Sequence, residues 1–275
     1  MYAPYFFIFS CGGGRSKISD MFSSKIGRSE NPGRPVIDFH SHILPEMDDG
    51  SKNVEMSLAM LRESRRQGVD IILATPHFYG FRERPSEFLK RRTRAVKQLS
   101  GVLGQDVPAL LTGAEVAFYS GLITLDGLSS LCVDGTDILL LEMPFSPWTG
   151  LELNVVSALC LDRKYRVVLV HLERFLPLQK DRHLVEQLLD LPLFVQVNAG
   201  ELCSLRGRRQ ALGLFRSGRA QLLGSDCHNL DRRPPNLGLA RTLLSRKLGQ
   251  QCLEEIDACG RSLLGLDGGG SAHET

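Results

Sequence analysis

Seven histidines are spread through this 275-residue chain, and five of them share one setting: an apolar, strand-like run that ends in a turn. His40 and His42 close the run Val36–Phe39, His77 follows Ala74-Thr75-Pro76, His171 follows Val167–Val170, and His228 ends Gly224-Ser225-Asp226-Cys227. Alternate side chains of an extended backbone share a face, so His40 and His42 could grip one ion from a single strand end. Carboxylates recur in the same setting: Asp48 and Asp49 before Gly50, Glu115 after Gly113-Ala114, Glu142 after Leu140-Leu141, and Asp226. Imidazoles mixed with carboxylates are the donor set of a hydrolytic metal centre. Taken singly, Glu142 or Asp226 could cap a helix and His77 could finish a turn; taken together, they point to one site. His183, in a polar helical stretch, and His273, near the C-terminus, read as solvated.

The elements that must position these residues alternate between strand and helix patterns. Strands are expected at Val36–His40, Val69–Thr75, Ala109–Val116, Asp137–Glu142, Arg166–His171, Leu193–Asn198 and Ala220–Asp226. Amphipathic helices are expected at Glu55–Gln67, Arg84–Val102, Leu151–Asp162, Asp181–Leu189 and Leu202–Ser217, with a helical C-terminal part from about Asn236 to Leu264. Seven units of about 33 residues suit βα repeats, and a barrel of parallel strands gathers all its strand ends on one face. Six of the seven strands then deliver a donor to that face, while the sixth supplies no evident ligand. Residues 1–34 read as a loose extension, 35–264 as the folded domain and 265–275 as a fraying tail.

Composition narrows the function. Basic and acidic residues nearly balance, 33 against 31, which gives no basic stripe for nucleic acid and no field for a lipid surface. Seven cysteines without framework spacing suit a reducing cytoplasm. The apolar run Tyr5–Phe9 lacks a basic leader and is too short for a secretory core, and no later run is long enough to insert in a membrane. A Cys followed six positions later by Arg, the spacing of thiolate phosphatases, occurs at Cys160, Cys203 and Cys227. None has a His before the Cys or a Gly-rich cradle after it, so Cys227 reads as a bystander between two metal-capable residues.

With these residues in hand, the chain resembles the polymerase and histidinol phosphatase (PHP) superfamily of metal-dependent phosphoesterases, and within it the bacterial tyrosine-protein phosphatases of capsule and exopolysaccharide operons. The resemblance rests on Ile37-Asp-Phe-His-Ser-His42, Met47-Asp-Asp-Gly50, Ala74-Thr-Pro-His77, Gly113-Ala-Glu115, Leu141-Glu142, His171-Leu-Glu-Arg174, Gln196-Val-Asn198 and Ser225-Asp-Cys-His-Asn-Leu-Asp231 continuing to Arg233-Pro-Pro235. It implies a distorted, TIM-like seven-stranded (β/α) barrel with three divalent ions: a first held by His40, His42, Glu115 and Asp226, a second by Glu115, Glu142 and His171, and a third by Asp49, His77 and His228. Asp48 could stand in for Asp49. An oxygen-rich set favours manganese, with iron or zinc as alternatives. Metal-activated water then attacks phosphorus in line, without a phosphoenzyme, while Arg174 and Arg233 contact the phosphate. The implied partner is the phosphotyrosine-bearing tail of a bacterial tyrosine autokinase in the cytoplasm, with a homo-oligomer left open. The alternatives are a small phosphomonoester such as histidinol phosphate and, in another class, a metal-binding scaffold module.

Overall fold

A computed structural model describes residues 34–267; the rest of the expected N-terminal extension and the end of the expected tail lie outside the described residues. Nine strand segments are present among them: β1 (Ile37–Ser41), β2 (Ile71–Ala74), β3 (His77–Phe78), β4 (Ala109–Thr112), β5 (Glu115–Ala117), β6 (Ile138–Glu142), β7 (Arg166–Leu169), β8 (Phe194–Asn198) and β9 (Leu222–Gly224). Every ladder is parallel, in the orders β1-β2-β4 and β3-β5-β6-β7-β8-β9. The helices are α1 (Val54–Arg66), α2 (Pro85–Ser100), α3 (Gly150–Ser157), α4 (Leu172–Phe175), α5 (Arg182–Leu189), α6 (Ala199–Cys203), α7 (Arg208–Arg216), α8 (Leu237–Leu248) and α9 (Gln250–Leu263).

The strand expected at Ala109–Val116 is cut in two, as β4 and β5, and the one expected at Val69–Thr75 stops as β2 and is followed, beyond its expected end, by the short β3. Pro76 has no amide hydrogen to give a ladder, and β2 ends two residues before it. The second break falls at Gly113-Ala114, where a Cβ on Gly113 would make ordinary van der Waals contact with Val133 at 3.4 Å. The breaks sit side by side, bridged by Gly113 N donating to Ala74 O and Glu115 N to Pro76 O, both at 3.0 Å. As a result β3 and β5 pair afresh with His77 opposite Glu115. The expected C-terminal helical part divides at Gly249, where φ is +91°, a backbone setting that suits glycine.

The sheet curls until its first strand meets the chain beyond its last. Asp226 N donates to His40 O at 2.8 Å and His42 N to Cys227 O at 2.9 Å. Alternation along the strands sorts the apolar side chains into two layers. Ile37, Phe39, Ile71, Leu73, Leu140 and Val168 belong to an inner cluster completed by Leu263 and Leu264 at the end of α9. Their neighbours in sequence, such as Ile72, Leu139, Leu141 and Leu169, pack with helix residues Met60, Leu61 and Phe88 in an outer one. Helix α9 closes the inner layer at close range, since a Cβ on Gly260 would meet the Phe39 ring at 2.8 Å.

Gly224, where β9 ends, tests this packing. An added Cβ would lie 2.7 Å from His40 Cβ and 2.8 Å from Gln196 Nε2. Gly224→Ala is expected to lose about 1–3 kcal/mol of stability through overpacking. Gly213→Ala, in α7 where nothing lies within 4 Å of the new methyl, is expected to gain about 0.5–1 kcal/mol. Urea unfolding midpoints of the two variants check the pair of signs.

Candidate metal centre

Four imidazoles converge on Glu115, a carboxylate with no solvent exposure. His171 Nε2 stands 2.7 Å from its Oε1, while His77 Nδ1, His42 Nε2 and His40 Nε2 lie 2.8, 3.3 and 3.6 Å from its Oε2. Asp226 Oδ1 faces the same histidines, 3.4 Å from both His40 Nε2 and His42 Nε2. On the open side, Asp49 Oδ1 lies 3.4 Å from His228 Nε2 and 3.6 Å from His77 Nε2, and Glu142 Oε1 lies 3.7 Å from His171 Nε2. All nine residues expected to carry metal are thus brought together.

Donor atoms within 4.8 Å of one another form four overlapping groups: His42 with Asp49, His77 and His228; His40 with His171 and Asp226; His40 with His42 and Glu115; and His77 with Glu115 and Glu142. This partition differs from the one the resemblance implies. His42 also joins the Asp49 group, His171 groups with His40 and Asp226, and His77 takes a place beside Glu115 and Glu142. The place of His77 follows from the strand breaks, which bring it level with Glu115.

Neighbouring residues aim the donors. Thr75 Oγ1 lies 2.8 Å from His40 Nδ1. Asp48 Oδ2 lies 2.7 Å from His42 Nδ1 and accepts from His77 N at 2.9 Å, while its Oδ1 accepts from Gly50 N. The two neighbouring aspartates therefore divide the work: Asp48 orients ligands and Asp49 faces the centre. Gly50 permits this turn, because a Cβ there would sit 2.3 Å from His42 O. The sixth expected strand, β8, holds an amide relay: Gln196 Oε1 accepts from His171 N, Gln196 Nε2 donates to Asn198 Oδ1, and Asn198 Nδ2 donates to Asp226 Oδ2 at 2.6 Å. Sequence reading quoted this Gln-x-Asn without giving it a role; its two-residue spacing, which puts both amides on one strand face, was the available signal. His171 and Asp226 adopt positive φ, 37° and 52°, a setting uncommon away from glycine and one that clusters at functional sites. Arg233 donates to Asp226 Oδ2 at 2.6 Å and Arg174 approaches the same oxygen at 3.6 Å, so both arginines stand at the mouth.

Electrostatics make the centre attractive to cations. Burial opposes a charge on His42, yet Asp48, Asp226 and Glu115 outweigh it and hold the imidazole well above its usual range. Burial and the neighbouring Glu115 charge push Glu142 up to about 7. Burial and then the nearby His42 pull His228 down to about 4. Several buried donors also lack hydrogen-bond partners: Glu115 Oε2, His77 Nδ1 and His228 Nε2 among them. Glu115 Oε2 and His77 Nδ1, 2.8 Å apart, are turned past each other rather than joined by a hydrogen bond, as two ligands of a common third atom are. Buried polar atoms are otherwise nearly always satisfied, so these residues fit divalent cations. The thiols do not compete: burial pushes Cys227 and Cys160 up to about 12, and burial also raises Cys203.

Comparison with known proteins gives the chain a family. Tyrosine-protein phosphatase CpsB of Streptococcus pneumoniae is 29% identical over 238 residues, covering 80% of this chain and 94% of the relative. Tyrosine-protein phosphatase YwqE of Bacillus subtilis is 27% identical over 223 residues, covering 78% and 86%. A solved structure from work on YwqE and S. pneumoniae CpsB, described as unique metal-dependent tyrosine phosphatases, superposes with a TM-score of 0.71 at 26% identity, covering 84% of this chain and 95% of that one. The family model for capsular polysaccharide synthesis proteins CpsB/CapC matches residues 36–260, nearly the whole described chain, and this protein belongs to that family.

Proposed function

We propose that this chain is a metal-dependent protein-tyrosine phosphatase whose catalytic domain, a distorted seven-unit (β/α) barrel, spans residues 35–264. The observation that carries the reading is the convergence of nine imidazoles and carboxylates, eight of them buried or half-buried and Asp49 on the exposed side, beneath two arginines; the relatives' shared name supports the substrate. His40, His42, Asp49, His77, Glu115, Glu142, His171, Asp226 and His228 hold three divalent ions, with manganese suited to so oxygen-rich a set. Bound there, such ions supply an activated water at neutral pH and neutralise charge on the phosphoryl oxygens.

The chain's own residues do the rest. Arg174 and Arg233, now drawn to Asp226, turn their planar guanidinium groups to the phosphoryl oxygens. Asp48, Thr75, Gln196 and Asn198 keep the ligands aimed, and a departing tyrosyl phenolate, with a pKa of about 10, asks little of a general acid. The substrate is phosphotyrosine in a flexible segment, the tail of a tyrosine autokinase that controls capsular or exopolysaccharide synthesis, reached in the cytoplasm. Among the described residues no helix is long and apolar enough to cross a membrane.

Three tests follow. Hydrolysis of a phosphotyrosine peptide should disappear on chelation and return with manganese, with histidinol phosphate far poorer; activity on the small ester alone would move the function to metabolism. His42→Ala and Asp226→Ala should abolish turnover, Asn198→Ala should cost about 10- to 100-fold as outer-shell changes do, and Cys227→Ser should leave most of it; equal loss in all four would overturn the mechanism. Finally, a cation must displace the proton that the raised His42 and Glu142 carry. Manganese affinity should therefore fall as pH drops from about 8 to about 6, with more protons released per ion at the lower pH; calorimetry in buffers of different ionisation enthalpy reads both quantities.

A further inference from the structure

A groove of about 450 Å³ opens directly from Asp48, Asp49 and His77, and Met47, Tyr79, Arg82 and the Glu83–Arg91 ion pair line the rest of it. Its size falls in the range of small-ligand sites, and a thioether, a phenol ring and a guanidinium are side chains that favour the face of an aromatic ring. The Tyr79 ring lies 5.4 Å from that of His77 at an interplanar angle of 26°. Arg82 holds its guanidinium 4.7 Å over Tyr79 and 5.5 Å from the ring of Phe81. Among the described residues no carboxylate ion-pairs with Arg82, whereas nearby Arg91 is held by Glu83 at 2.6 Å. Phe81 is 67% exposed at the edge of this cluster.

The wall is also braced. The Tyr119 ring fills the space over Gly80 and Gly121, where added Cβ atoms would stand only 2.4 and 2.9 Å from it. The segment carrying Tyr79, Phe81 and Arg82 is therefore backed by a ring from the chain just after β5, and a site held in shape beforehand binds with less entropy lost.

We propose that this groove is an aryl subsite: with the phosphoryl group at the metal centre, Tyr79 and Arg82 receive the phenyl ring, and Phe81 forms the outer wall against the adjoining peptide. The proposal rests on the phosphatase reading and adds how an aryl phosphate is preferred to an alkyl one. A second aromatic residue near the centre, Phe145, fits the role less well. It does not line the groove, and its ring packs 4.7 Å from Phe175 beside Arg174 at 5.2 Å.

The test is calorimetric titration of the manganese-loaded full chain with phenylphosphonate, methylphosphonate and inorganic phosphate, alongside hydrolysis of a phosphotyrosine peptide. Wild type should bind phenylphosphonate more tightly than methylphosphonate. Arg82→Gln should reduce that preference about five- to tenfold, with affinity for inorganic phosphate and manganese unchanged. Tyr79→Leu should do the same to the preference, but it also loosens His77, so Arg82→Gln is the deciding variant. No phenyl preference in wild type, an unchanged preference in Arg82→Gln, or loss in Phe145→Ser instead, would each overturn the subsite. A wild type that prefers phenylphosphonate yet leaves the peptide intact would sink the phosphatase reading while the aryl subsite stands.

Discussion

Everything in this molecule is arranged around a carboxylate that by itself belongs in water. Glu115 is fully buried, and an isolated buried charge of this kind costs several kcal/mol. Four imidazoles offset that cost, and they hold Glu115 well below the usual carboxylate range even though burial pushes it up. Those imidazoles come from β1, the turn after it, β3 and the turn after β7, so no local segment can assemble them. Only a sheet curled far enough to bring its first and last strands together can satisfy Glu115, and the same curl brings Asp226 against His40 and His42.

The broken strands serve that convergence. An unbroken second strand would carry its ladder past the level of the histidine pair; instead Pro76 interrupts it and the chain starts a new ladder with His77 opposite Glu115. The matching break falls next door at Gly113, and the two interruptions set His77 level with Glu115 although neither Pro76 nor Gly113 supplies a donor. The apolar layers beneath are regular by comparison, with strict alternation between inner and outer clusters.

Much of the site could be read from the chain because its donors follow apolar runs, and a parallel sheet gathers such positions on one face. His40, His42, Glu142, His171 and Asp226 stand where that pattern puts them. What escaped was tertiary. Nothing in the adjacent carboxylates Asp48 and Asp49 says which turns inward; the answer lies in a turn folded tightly against His42 O. The strand breaks at Pro76 and Gly113 carry recognisable residue types, yet hydrophobic runs on both sides conceal them. The left-handed backbone at His171 and Asp226 has only a weak sequence signal: both types are enriched there among non-glycine residues, yet most copies of either adopt other conformations. Grouping of the donors depends on registers between strands far apart in the chain.

The relay on β8 has a consequence for how this protein meets acid. Gln196 and Asn198 link the His171 backbone to the Asp226 carboxylate through primary amides, and amides do not titrate in the biological range. The ligands gain and lose protons, but the scaffold between them does not. Protonation therefore acts on the residues at the two ends of the relay and leaves the donors and acceptors between them unchanged.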